Sequence, residues 1–283
     1  MTTSPVSTPP TPGPSDRLFF DHEHLVEKDF TGLRLGSFGA HASRFDRCVF
    51  AGMRVETATF GSGVAVSEYV DCVFDGARIQ RAMAGFARFV RCTFRDVDLR
   101  EWDGEFVDMV DCVVSGTVRS GQFWGAPLPQ SGESRYRSYA RGLTEQGLGE
   151  PPESVRALML RTANEFHGND FSGAELVKTS FRGGADLTRQ RLPQGPDYLY
   201  VPDAAAAIDA AVARLDAGTV PDALVGADLQ PRVRRFLTGV LGRDVEQGQR
   251  QLLVRAKDFA SRGAVKPHAA AAVALLADVI KES

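Results

Sequence analysis

The sequence predicts a solenoid, interrupted once by a helical excursion and followed by an α-helical region. The first observation is a recurring eight-residue phrase. Tyr69-Val-Asp-Cys-Val-Phe-Asp-Gly76 returns as Phe89-Val-Arg-Cys-Thr-Phe-Arg-Asp96 and as Met109-Val-Asp-Cys-Val-Val-Ser-Gly116, each twenty residues on. The second is an earlier copy, Phe45–Gly52, twenty-four residues ahead of the first. The third is a period of five inside the longer one. Phe74, Ile79, Phe89, Phe94, Leu99, Met109 and Val114 share one register, with compact side chains two places before them. A fixed period marks a fold in which each repeat buries its apolar side only by stacking on its neighbours.

Met1 to Ser15 is rich in Pro, Ser and Thr and reads as a disordered tail. It lacks a basic stretch followed by an apolar core, so no secretory signal is expected and a cytoplasmic location follows. Over 16–116 the rhythm enters at Leu25, Phe30, Leu35, Ala40, Phe45, Phe50, Val55 and Phe60. Gly61-Ser62-Gly63 then breaks it. A four-residue loop inserted into a twenty-residue coil is preferred over a lost residue, because it keeps Cys48 and Phe50 stacked on Cys72 and Phe74. The cysteines 48, 72, 92 and 112 take the small inward position and fit no zinc spacing. They read as buried thiols serving as small hydrophobes.

From Thr117 the pattern stops, and 117–163 reads as an excursion with two helices. One has Tyr136, Tyr139, Ala140 and Leu143 on a face; the other has Val155, Leu158, Met159 and Thr162. The rhythm returns over 164–192 at Phe166, Phe171, Leu176 and Phe181. Beyond Pro193, residues 193–283 read as an amphipathic helical bundle, covering the end of the solenoid or forming a small domain on it. One of its helices is expected to carry Val245, Leu252, Leu253, Ala256 and Phe259.

Composition narrows the function. With 43% apolar and 24% charged residues the chain is of ordinary globular type. A net charge of −3 argues against wrapping nucleic acid or anchoring to an anionic membrane. No apolar run approaches the roughly 18 residues that span a bilayer.

The unit A/C-x-F/L-x-x over about 25–116 and 164–192 resembles the pentapeptide-repeat family. The resemblance implies a β-solenoid, a right-handed quadrilateral parallel β-helix with four pentapeptides per coil. It places Phe74, Phe94 and Val114 in one inward column and Cys72, Cys92 and Cys112 in another. Relatives bind DNA gyrase and topoisomerase IV, resembling duplex DNA in size and charge, so a type II topoisomerase is a candidate partner. Several relatives dimerise at their C-terminal ends, which makes a homodimer through the last helices a further expectation.

DNA presents one charge per roughly 1.7 Å of axis. Here the outward column Asp71, Arg91, Asp111 alternates in sign, and Asp75 falls beside Arg95. Residues 16–116 hold 17 acidic and 12 basic residues, a net of −5, which is weak mimicry. Two departures from the repeat are the candidate partner-binding sites. Ala84 and Gly104 replace the large inward residue, while Phe86 and Phe106 stand at outward positions. The two rings either turn inward to fill that room or form an exposed stripe with Val66 or Trp102. The excursion contributes Phe123, Trp124, Tyr136 and Tyr139.

Signals for catalysis are sparse. Asp21-His-Glu-His24 holds the metal-ligand candidates His22 and His24, which would share a face on a strand, with His41 or His167 as a third ligand. A metal-dependent enzyme using that region is the third reading. No cofactor motif is present. The leading reading is a non-catalytic protein-interaction protein, with a scaffold or immunity-type protein for an unrelated partner as the alternative.

Overall fold

The computed structural model describes residues 16–261 and 263–282; the expected disordered tail lies outside them. The chain coils through paired strands, one set on each of two parallel sheets. The coils open with β1 (Arg17–Asp21) and β2 (His24–Val26), then β3 (Arg34–His41) and β4 (Arg44–Asp46). Next come β5 (Arg54–Ser62) and β6 (Ser67–Val70), then β7 (Arg78–Met83) and β8 (Ala87–Val90). β9 (Thr93–Arg100), β10 (Trp102–Gly104) and β11 (Val107–Val110) follow, then β12 (Val113–Arg119) and β13 (Gln122–Trp124). One sheet runs β14-β11-β8-β6-β4-β2, where β14 is Phe166–His167. The other begins β1-β3-β5-β7 and ends, through β10 and β13, at β16 (Ser180–Arg182), with β9, β12 and β15 (Asp170–Val177) paired beside it. The architecture is a parallel β-solenoid.

Register explains the phrase. Tyr69 pairs with Phe45 and with Phe89, so like side chains stack at the inter-strand spacing. The rings of Phe50, Phe74 and Phe94 lie 4.8 and 4.7 Å apart and nearly parallel. Phe45, Tyr69 and Phe89 make a second column at 4.8 Å. Such contacts add about 0.5–1.5 kcal/mol per pair beyond area burial. The hydroxyl of Tyr69, buried in the column, donates to the Phe60 carbonyl at 2.9 Å. All four cysteines are free and buried. The thiols of Cys72 and Cys92 donate to the carbonyls of Phe45 and Tyr69 at 3.3 and 3.2 Å. Phe50 on Phe74 is the pairing that the inserted loop preserves. Gly61 makes the insertion possible, since a Cβ there would fall 2.1 Å from the Phe86 carbonyl oxygen.

The solenoid outlasts its sequence rhythm. Instead of stopping at Gly116, the strands run to Trp124, and the excursion occupies only 125–163. Trp102 and Phe123 fill the interior of this coil in place of the regular five-residue pattern, their rings 5.9 Å apart. Helices α1 (Pro129–Glu145) and α2 (Glu153–Met159) then form, the second ending short of Thr162, expected on its face. The cysteine column continues after them. Asn169, fully buried, accepts from the Cys112 backbone N–H at 3.0 Å and is itself held by Gln190.

The C-terminal region has its own apolar core, around Ile208, Val233, Phe236, Leu275 and Leu276. It is not helical throughout. Leu252 and Leu253, expected on a helix, lie in β18 (Leu252–Arg255), antiparallel to β17 (Tyr198–Val201). The cause is tertiary: Gln249 and Gln251 bond the backbone of Ala185 and Leu187, the last coil, and draw this segment out straight. Around the pair lie α3 (Ala204–Asp216), α4 (Gln230–Phe236), α5 (Gly242–Glu246) and α6 (Pro267–Glu282), and a short hairpin of β19 (Ala260–Ser261) and β20 (Ala264–Val265). No helix among the described residues is long and apolar enough to cross a membrane.

Candidate functional site

Phe86 and Phe106 follow neither expected course. Ala87 and Phe89 point inward, so alternation sends the residue at 86 outward. Both rings are nevertheless 2% exposed, because the excursion covers them. They meet each other at 5.1 Å and pack against Val155 and Met159, with Tyr136, Tyr139 and Val66 alongside. Arg135 lays its guanidinium 4.7 Å from the Phe106 ring centre. The room beside Gly104 is taken by Trp102, whose Nε1 lies 2.7 Å from where a Cβ would stand. Phe123 is buried in the solenoid, and Trp124 is buried under Arg182. Of the aromatic partner-binding candidates, only Tyr136 and Tyr139 keep partial exposure. The stripe is the seat of the chain's own excursion.

Two devices weld that seat. Gly132 on α1 approaches α2 so closely that a Cβ would sit 2.3 Å from the Met159 carbonyl oxygen. Beneath them, Arg161 pairs with Asp108 at 3.1 Å, and Asp108 accepts from the Glu165 N–H at 2.8 Å. Burial pushes the Asp108 carboxyl above its ordinary value, against the pull of Arg161. No sequence signal marks this pair, because its partners lie 53 residues apart.

The outer ladders are mostly neutralised, as the alternating signs predict. Arg91 grips Asp71, Arg95 reaches Asp75 at 3.3 Å, Arg47 meets Glu27 at 2.9 Å, and Arg44 pairs with Glu68. One column departs from this. Arg34, Arg54 and Arg78 stand in register on β3, β5 and β7, all exposed. Among the described residues none of the three forms an ion pair. They line a shallow groove of ≈ 420 Å³ with Glu56, Asp98 and Arg100. Asp98, next in the column, turns to Arg100 at 2.8 Å, which holds its carboxyl below the ordinary value. Like charges directly opposite on neighbouring strands oppose folding. The arginines share the period of the phrase, so the column was visible in the sequence, one residue before each of Leu35, Val55 and Ile79.

His22 and His24 do not come together. His22 sits at a corner with φ 55, which breaks the alternation a strand would impose. His24 turns to Asp46 at 2.7 Å, while His22 joins Asp21 and His41. His167 is a register position on β14, paired with Val110, and belongs to neither group.

No protein-family model matches this chain, and no curated protein is significantly similar to it.

Proposed function

We propose that this is a non-catalytic protein-interaction protein of the pentapeptide-repeat type, its solenoid a right-handed quadrilateral β-helix that works inside the cell. The unpaired column Arg34–Arg54–Arg78 carries the reading. Three guanidinium groups repeated at the strand spacing, about 4.8 Å, weaken the sheet they stand on. An acidic segment of a partner lying along the groove would remove that cost and gain charge-assisted hydrogen bonds. DNA mimicry has little support in this surface, since the acidic ladders are matched by arginines that cancel their field.

The decisive comparison is crosslinking in the native cell between the natural chain and an Arg34→Glu, Arg54→Glu, Arg78→Glu variant. Loss of one specific protein contact supports the reading; full retention sinks it. A supercoiling assay with and without a quinolone identifies or removes a type II topoisomerase as that partner. No inhibition or protection at micromolar protein leaves an unrelated protein, and so a scaffold or immunity-type role. Pairing of two copies through the last helices belongs to the same reading and is tested by sedimentation of the full chain; Leu275, Leu276 and Val279 of α6 lie in the chain's own core with α3 and α4.

A further inference from the structure

The first coil gathers two imidazoles onto one carboxylate. Asp21 and His41 face each other across the β1–β3 pairing, and the His22 backbone N–H bonds the His41 carbonyl at 2.9 Å. The left-handed corner at His22 swings its ring back over this pair, 4.9 Å from the His41 ring at 82°. The Nδ1 atoms of His22 and His41 stand 2.7 and 2.9 Å from the same oxygen, Oδ1 of Asp21. Gly63 walls the other side of His41, where a Cβ would fall 2.6 Å from the ring.

Two imidazole nitrogens converging on one carboxylate oxygen exceed what an ion pair needs. Three donor atoms lying within 4.8 Å of one another can instead surround a single ion. Metal–donor distances of about 2.0–2.2 Å put tetrahedral ligand atoms about 3.3 Å apart. The two Nδ1–Oδ1 spacings open to that by about half an ångström, while the third separation, no more than 4.8 Å, closes toward it by rotation of the exposed His22 side chain. Imidazole with carboxylate favours zinc-like ions over magnesium or calcium. His24 supplies the contrast. Its partner Asp46 is already engaged by Arg44, and no second imidazole joins it.

We propose that Asp21, His22 and His41 form a binding site for one divalent transition ion of the zinc class, with its remaining coordination positions open to solvent. The site stands apart from the arginine column and does not depend on the interaction reading.

The test is calorimetric titration of ZnCl2 into the untagged full-length chain at neutral pH. One equivalent should bind with a dissociation constant on the order of 10 µM or tighter, weakened at least about tenfold by His22→Ala, His41→Ala or Asp21→Asn. His24→Ala should bind as the natural chain does, and MgCl2 should give no binding. Co2+ should show a tetrahedral visible absorption band that these three substitutions abolish. Far-UV circular dichroism checks each variant, and the exposed Asp21→Asn and His22→Ala carry the test if His41→Ala fails to fold. Absence of zinc binding at about 100 µM overturns the proposal, as does an equal loss in His24→Ala.

Discussion

Arg91 grips Asp71 with two guanidinium nitrogens, at 2.7 and 2.8 Å, from one coil to the next, while both residues hold left-handed backbone at φ 51 and 56. The same corner repeats at Glu27, Arg47 and Asp111. Aspartate tolerates this conformation better than arginine does. The ladder thus accepts strain at each corner, and its solvent-screened surface ion pairs offset only part of it.

Arg91→Gly should therefore be less harmful than Arg91→Ala, by about 1 kcal/mol, although both delete the same ion pair. Urea denaturation of the two variants checks this ordering. An equal loss would show that the corner is unstrained.

The arginine-bound carboxylates set the acid limit of stability. Arg44, Arg91 and Arg100 hold Asp46, Asp71 and Asp98 below their ordinary values. Their contribution is present above the unfolded value, about 3.9, and is lost as pH falls through the lower folded values. Asp108 has the opposite sign, because its folded value is raised, so its protonation on acidification favours the folded chain. Melting temperature should accordingly decline mainly below about pH 4. In the Asp46→Asn, Asp71→Asn, Asp98→Asn variant that decline should be shallower.

Removing one partner of the pair beneath the excursion should cost more than removing both. Asp108→Ala strands a mostly buried Arg161 and should destabilise by about 3 kcal/mol. Adding Arg161→Leu should recover a large part of that loss. A double-mutant cycle by urea titration measures the coupling, and additive losses would contradict it.

Phe106→Ala should loosen the excursion before it unfolds the solenoid. The ring packs with the separate cluster of Val155 and Met159, not with the stacked aromatics. A loss of about 3 kcal/mol is expected, with faster amide exchange over α1 and α2 and protection retained over β6 to β9. Uniformly faster exchange would show that the two layers fold as one unit.

Thiol chemistry should report the stack. The four cysteines are enclosed, and burial pushes the Cys92 thiol well up. An aromatic disulfide reagent should leave them unreacted in the native chain and label them in denaturant. Cys48, nearest the first coil, should react first as the chain loosens.

By itself, the sequence determined the solenoid and its inward columns. Cys72, Phe74 and their copies are found where a period of five places them, because a stacked repeat sets the same side chain in the same surroundings at every turn. It also carried the alternating signs of Asp71 and Arg91, which the structure converts into ion pairs. Only the tertiary structure decided what covers the outside. Periodicity assigns Phe86 and Phe106 to the outer side of the strand but cannot say that residues 129–159 return to bury them. Trp102 entered the core for a local reason, since it takes the room beside Gly104 on its own strand, and Phe123 stacks on it. Leu252 and Leu253 became a strand through bonds made 64 residues away. The departures from the phrase thus proved to be where distant segments dock, because contacts between segments far apart in the chain leave no period behind them.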